Sequence, residues 1–474
     1  MFLTKAFLDT FIPLSLDHDT NLKVDHNVIT ENARYFGDIS HIAPDNAEGM
    51  ESPYRRVSQA HMQEQMSPIL SYDNQEELIE YDKLHNEDME TALREIMLEA
   101  AESYEIPIFD HQGISIPRAL LQRLPTNGRE IEIGNTTADV KYELGRGAYG
   151  VVFLCEMKGS QAFTSALKVQ SPTDCLAWEF TVLKKIQDRL KLSGHTECAG
   201  GRRPRMKGRD GDDNVLPPFP LPLSFVAFSN GGLLSMTAGS TSGLTLVDVV
   251  NAHRVSGGGP VPELIAIHYT ARMLQHIENL HWYGKILHCD VKADNWVLVA
   301  PHSGHTKTDD TSAPGSELML VDFGRAVDLA TVNCGKPDKL EARILGKAAK
   351  EDMACAAIRE GLPWGADIDT YGICASAFVL LYGIHMDIEK DPASKRWRPH
   401  KPLRRYWNKS LWNKLFDTLL NLDGKERNLA TGSHPNSLRA LRKSFEEYLA
   451  SGGRKKDLQA ELNRQSSILP KRRG

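Results

Sequence analysis

The chain has 474 residues, a formal net charge of -6, 41% hydrophobic and 25% charged residues. This suits one large globular domain with an extension, or two to three ordinary ones, and gives no global drive toward nucleic acid or anionic membrane. Seven cysteines without CxxC pairs or metal-ligand spacing argue against zinc and a disulfide framework, and for a reducing compartment.

No apolar run approaches the roughly 18 residues of a membrane span. At the start, MFLTKAFLDTFIPLSLD is interrupted by Lys5 and Asp9 and no small-residue cleavage site follows, so a signal peptide is not expected. These features place the protein in the nucleus and cytoplasm. Residues 1 to 125 are polar and read as mostly extended or disordered, without solenoid repeats. They hold one docking helix over about 74 to 103, where Leu78, Tyr81, Leu84 and Met89, then Leu93, Ile96 and Met97, mark a face among carboxylates.

The character changes near Glu130. IEIGNTTADVKYELGRGAYGVVFLCEM reads as strand, turn, strand, glycine-rich turn, strand, and SALKVQ as a further strand. LAWEFTVLKKIQDRLKL follows as a helix, with Leu176, Phe180, Leu183 and Ile186 at helical spacing. The second half is helical. Leu264, Ile267, Ala271, Leu274 and Ile277 mark an amphipathic helix, and IDTYGICASAFVLLYGI a buried one. Segments 200–214, 255–260 and 303–316 read as surface insertions, rich in Gly, Pro, Ser and charge. The basic run Arg202 to Arg209 reads first as a solvated loop, with a localisation signal as the rival, and a second basic run, Lys471 to Arg473, closes the chain.

Four motifs carry chemistry. GRGAYGVV matches G-x-G-x-x-G-x-V through Gly145, Gly147, Gly150 and Val152. Because a strand and not a helix follows, it reads as a hairpin laid over nucleotide phosphates or as a plain hairpin turn, with equal weight. Lys168 lies on the next strand and reads either as a solvent-facing edge lysine or as a phosphate ligand tied to Glu179, with Asp174 as a competing partner. ILHCDVKADNWVLV satisfies H-x-D-x-K-x-x-N with His288, Asp290, Lys292 and Asn295. There Asp290 would accept a hydroxyl proton, Lys292 neutralise the transferring phosphoryl group and Asn295 bind magnesium, while His288 is structural. Asp322, Phe323 and Gly324 form D-F-G after an apolar strand, with Asp322 a natural magnesium ligand.

In this order and spacing the four motifs are identified as those of the eukaryotic protein kinase fold. IGNTTADVKYELGRGAYGVVF, LKVQ followed by WEF, VDFGRAVDL and CAAIREGLPWGADIDTYG resemble the Bub/Mad-type mitotic checkpoint serine/threonine kinases over about residues 130 to 450. The resemblance implies an α+β bilobal fold, with an N-lobe at about 130 to 238, a C-lobe at about 239 to 450 and a basic tail at 451 to 474. It implies ATP at the glycine loop, Ala166, Lys168 and a hinge containing Met236, Ala238 and Gly239, with Mg2+ on Asn295 and Asp322. Asp369 would anchor the catalytic loop. A protein substrate such as a histone tail, and checkpoint or kinetochore partners, are implied; neither membrane nor sequence-specific nucleic acid is.

Two departures stand out. The long members' N-terminal helical-repeat domain is not expected in this chain, and the carboxylate usual after the activation segment is replaced by Ala356 or Ala357, with Glu360 displaced. The rivals to an active kinase are a pseudokinase scaffold and, more remotely, a small-molecule kinase. Cys289 stands where many kinases have an arginine that pairs with an activation-segment phosphate. A thiol cannot make that pair, so the segment is expected to be held by packing on Pro363 and Trp364.

Overall fold

The computed structural model describes residues 79–99, 106–111, 115–116, 129–133, 136–147, 150–158, 163–192, 196–197, 205–206, 219–239, 241–257, 259–299, 317–332, 344–345, 354–427 and 436–470. Insertion 303–316, the closing basic run and most of the Arg202–Arg209 run lie outside these residues, as does the Asp174 side chain.

The first lobe is built on one sheet of seven strands: β1 (Ile108–His111), β2 (Arg129–Ile133), β3 (Thr136–Arg146), β4 (Gly150–Lys158), β5 (Phe163–Gln170), β6 (Pro222–Phe228) and β7 (Gly231–Thr237). Their spatial order is β1-β6-β7-β5-β4-β3-β2, with β1 parallel to β6 and every other pair antiparallel. Alternation explains the strands: on β4, Val151, Phe153, Cys155 and Met157 are buried and their neighbours are not, as expected when one face lies on a core. Gly150 opens β4 because a Cβ there would lie 2.5 Å from the Val169 carbonyl oxygen, an approach only glycine tolerates.

The docking helix expected in the N-terminal segment is present, with different bounds. The helix predicted over 74 to 103 runs as α1 (Tyr81–Glu99) and packs on α2 (Thr173–Leu192), with Tyr81 and Ala92 buried and Leu84, Met89 and Leu93 against the core. Leu78 and the side chains of Ile96 and Met97 lie outside the described residues. Ile79–Glu80 pairs in parallel with Ile344–Leu345, and β1 joins the sheet edge. From Ile79 onward the described chain is therefore built into the kinase-like body, not strung ahead of it.

The second lobe centres on α4 (Glu263–Asn279) and α5 (Asp367–Tyr382), preceded by α3 (Leu246–Gly257). Val255 to Gly257, expected in an insertion, finish α3 with Val255 87% exposed. Every residue of α5 except Val379 is buried, as befits a helix apolar all round. Helix α4, expected to be amphipathic, is buried over most of its circumference. Its outer side is covered by α7 (Asn436–Ala450), which follows α6 (Lys409–Leu419), and by α8 (Arg454–Ile468). Glu278 of α4 takes Arg439 and Arg442 of α7 at 2.8 and 2.9 Å, and Gln465 of α8 donates to Tyr269 Oη at 2.6 Å. The expected tail thus begins as a packed helix, with Leu462 buried. Its dense charge disguised the few apolar residues that dock it. Among the described residues no helix is long and apolar enough to cross a membrane.

Candidate active site

Lys168 sits mid-strand on β5, opposite Val152 on β4 and Leu234 on β7. Its Nζ donates to Glu179 Oε2 at 2.6 Å and to Asp322 Oδ1 at 2.8 Å. Glu179 lies on α2 between Trp178 and Phe180, all three buried, so the helix core face, and not solvent, sets its direction. Its other oxygen accepts the Phe323 N–H at 3.3 Å. One carboxylate therefore ties α2 both to β5 and to the D-F-G turn. Burial works against charge on Lys168, but Asp322 and Glu179 outweigh it and hold the ammonium above the usual lysine range. Lys168 in turn pulls Asp322 down to about 2. The edge-lysine alternative is thereby set aside.

The catalytic-type loop runs between Ile286–Leu287 and Trp296–Val299, two strands paired to neighbouring segments. Fully buried Asp369, at the start of α5, organises it. Its Oδ2 accepts the His288 N–H and the His281 ring nitrogen, both at 2.8 Å, and its Oδ1 accepts the Cys289 N–H at 2.9 Å. These contacts hold Cys289 at φ 61, a left-handed conformation unusual outside glycine. His288 Nε2 meets the Val321 carbonyl oxygen at 3.0 Å, and the Asp290 N–H reaches His288 Nδ1, so His288 is structural, as expected. Asp290 Oδ2 accepts Lys292 Nζ at 2.7 Å and Asn295 Nδ2 at 3.2 Å. Asp290, Lys292 and Asn295 therefore meet at one mouth.

Across from them, Asp322 adopts φ 69 while Phe323 is buried edge-on against Phe219 and His288. Asn295 turns its amide nitrogen to the Asp290 backbone and carboxylate, leaving the amide oxygen, beside a carboxylate, as the hard donor set that Mg2+ prefers. Gly145 has open space where a Cβ would stand, and Gly147 meets only a backbone oxygen at 3.9 Å. Neighbouring packing thus explains Gly150 alone. Ala166 pairs with Met236 across β5 and β7, and both are buried with Ala238. Gly239 follows at φ 61, so the chain turns just past the end of β7, where the hinge was expected.

The segment beyond D-F-G is held by groups that motif reading passed over. Tyr81 Oη donates to the Arg325 carbonyl at 2.9 Å and Trp178 Nε1 to the Ala326 carbonyl at 3.0 Å. Asp328 takes both ends of Arg189 at 2.9 Å and Lys185 at 3.1 Å. Further on, Trp364 is fully buried, donates its backbone N–H to the Ile344 carbonyl, and packs against Tyr81. Cys289 is buried, which pushes its thiol well above the usual range, with Asp369 and Asp290 adding to the effect. The displaced Glu360 accepts Lys390 Nζ at 2.6 Å and Trp397 Nε1 at 3.0 Å. Its neighbour Arg359 reaches Asp387 at 3.4 Å and donates from Nε to the Ala354 carbonyl at 2.9 Å.

No family model matches the chain. It is 30% identical over 328 residues to the mitotic checkpoint serine/threonine-protein kinase BUB1 of Arabidopsis thaliana, covering 68% of this chain and 55% of that protein. The spindle assembly checkpoint kinase bub1 of Schizosaccharomyces pombe matches at 27% identity, over 67% of this chain and 30% of its own length. The crystal structure of the BubR1 kinase domain superimposes with a TM-score of 0.59 at 22% identity, covering 82% of this chain and 98% of that one. The chain belongs to the Bub-type kinase family. The match spans about half of the plant Bub-type relative and less than a third of the yeast one, and the fold of the Bub-type chain is the bilobal α+β kinase fold read from its motifs.

The hold of Tyr81 on the segment after D-F-G escaped the sequence reading for one reason. Tyr81 and Arg325 are 244 residues apart, as are other remote partners to a lesser degree, and only folding brings such partners together. A helical face over Tyr81 to Leu93 was the available signal.

Proposed function

We propose that this Bub-type chain is an ATP-dependent serine/threonine protein kinase. The observation that carries the reading is the joint placement of Lys168, Glu179 and Asp322 opposite Asp290, Lys292 and Asn295. Phosphoryl transfer asks mainly for positioning and charge neutralisation, and these six side chains provide both. Asp290 orients a substrate hydroxyl and takes its proton. Lys292, held on Asp290, sits where charge develops on the transferring group. Lys168, kept cationic by two carboxylates, takes the α- and β-phosphates, while Gly145, Gly147 and Gly150 lay backbone over them and Val152, Ala166, Met236, Ala238 and Gly239 frame the base. Asn295 and Asp322 would hold Mg2+, which when bound neutralises phosphate charge.

The biological setting proposed is spindle-checkpoint signalling with a protein substrate, a histone tail among the candidates, alongside checkpoint or kinetochore proteins. The names of the relatives support that setting. Incubating purified protein with labelled ATP, Mg2+ and histones tests the activity: transfer that Asp290→Asn lowers by about 10²- to 10⁴-fold is expected. Absence of any transfer that depends on Asp290 overturns it. The rival, a scaffold that binds nucleotide without turnover, draws on the Ala356–Ala357 replacement and the reassigned Glu360. It predicts thermal stabilisation by nucleotide with no transfer.

A further inference from the structure

Between Pro392 and Phe416 the chain carries eight lysines and arginines and no Asp or Glu. Some are neutralised locally: Arg396 pairs with Asp417, and Arg398 with Glu389 and Asp391. Lys401, Arg404, Arg405 and Lys409 are exposed, and no carboxylate among the described residues pairs with them. Glu263, bonded to the Asn408 N–H and to Trp412 Nε1, is turned inward.

This corner is built, not frayed. Tyr382, the last residue of α5, stands edge-on to Trp407 at 4.8 Å and donates from Oη to the Pro402 carbonyl at 2.7 Å. Over the Tyr382 ring lie Lys401 Nζ at 5.0 Å and the Arg404 guanidinium at 6.0 Å, the latter also 5.3 Å from the Trp407 ring. Arg404 donates to the oxygen of Tyr406, a ring 69% exposed. Stacking on aromatic faces fixes the cationic heads while leaving N–H donors open. Because α5 begins beside the catalytic-type loop, this corner lies about 20 Å from it along the helix.

We propose that the corner made by Lys401, Arg404, Arg405, Tyr406 and Lys409 docks a peptide segment of a partner protein carrying a phosphorylated serine or threonine. A phosphate concentrates nearly two charges and three acceptor oxygens at one point, which matches several cations gathered within nine residues around one stacked guanidinium. Continuous nucleic acid fits less well. The adjoining Ile388–Lys390 and Trp397–Pro399 hairpin brings Glu389 and Asp391 to the edge, which would repel an extended polyphosphate. The surface lies apart from the cleft, so the proposal stands whether or not the cleft transfers phosphate.

The test is binding by the full chain to a degenerate peptide library with one fixed phosphoserine, read by fluorescence anisotropy. The same library with serine or glutamate at that position, and a single-stranded oligonucleotide, serve as competitors. The phosphoserine library should bind about tenfold tighter than the serine and glutamate forms, and Arg404→Glu with Arg405→Glu should remove that margin. Since Arg404 and Lys401 both lie over the Tyr382 ring, a second variant, Arg405→Glu with Lys409→Glu, alters only exposed side chains off that ring and should do the same with an unchanged melting midpoint. Equal binding by the glutamate library, tighter binding by the oligonucleotide, no binding by any peptide, or no loss in the second variant would each overturn the proposal.

Discussion

The catalytic-type loop and the end of the activation segment both rest on the second lobe, yet they are held by different physics. The loop hangs on Asp369, a fully buried carboxylate with three donors within 2.9 Å. The segment end, at Arg359 and Glu360, is held by pairs with Asp387 and Lys390 whose side chains are 25% to 74% exposed. Water cannot replace a donor lost inside, whereas it readily replaces one at the surface. The first junction therefore fixes geometry, and the second can adjust to what lies on it.

The largest effect should follow Asp369→Ala. Leaving the His288 and Cys289 N–H groups and the His281 ring unpaired should cost about 3 kcal/mol or more, read as a lower urea midpoint, and transfer activity should be lost with it. A small change would break the contrast between the two junctions. Trp364→Ala sharpens it from the other side, because this buried ring anchors the segment by packing; a loss of about 3 kcal/mol is expected in the same measurement.

Next comes acid sensitivity at the cleft. Asp322 is depressed from an ordinary carboxylate value near 4 to about 2 by Lys168. A depressed group stabilises above its unfolded value, and that contribution is lost as pH falls from about 4 toward 2. Acid titration of Lys168→Met should therefore show a shallower loss over that window than the unaltered protein. A steeper loss would mean that Lys168 does not set the Asp322 charge.

Arg359→Ala removes the exposed pair with Asp387 and one hydrogen bond to the Ala354 carbonyl, and should lower stability by about 1 to 2 kcal/mol, with its mark on KM for protein substrate as well as on melting. Smallest of all is the expected effect of phosphatase treatment. With Cys289 buried where an arginine would receive a phosphate, activity should be unchanged, and loss of most of it would show that a charged contact holds the segment after all.

Legibility in the sequence followed the range over which chemistry acts. Asp290, Lys292 and Asn295 stand within six residues, and their types and spacing were readable because one loop must present all three at one mouth. Lys168 and Glu179 are eleven residues apart across one strand and helix, still within reach of pattern. The docking of α1 was half legible: Tyr81, Leu84, Met89 and Leu93 marked a face, but nothing local says that a face meets α2 and the turn after D-F-G. Helix α8 was missed because Leu462 and Gln465 sit among charges that read as a solvated tail.

Residue type at short spacing determined the fold class, the candidate catalytic residues and the absence of an arginine at Cys289, because each depends on side-chain chemistry within one or two elements. Only the tertiary structure decided where α1 and α8 pack, that Arg359 and Asp387 form a pair, and that Lys401, Arg404 and Arg405 meet no carboxylate among the described residues around Tyr382. Those outcomes turn on which distant groups share a surface once water is excluded, and neither identity nor spacing along the chain specifies that.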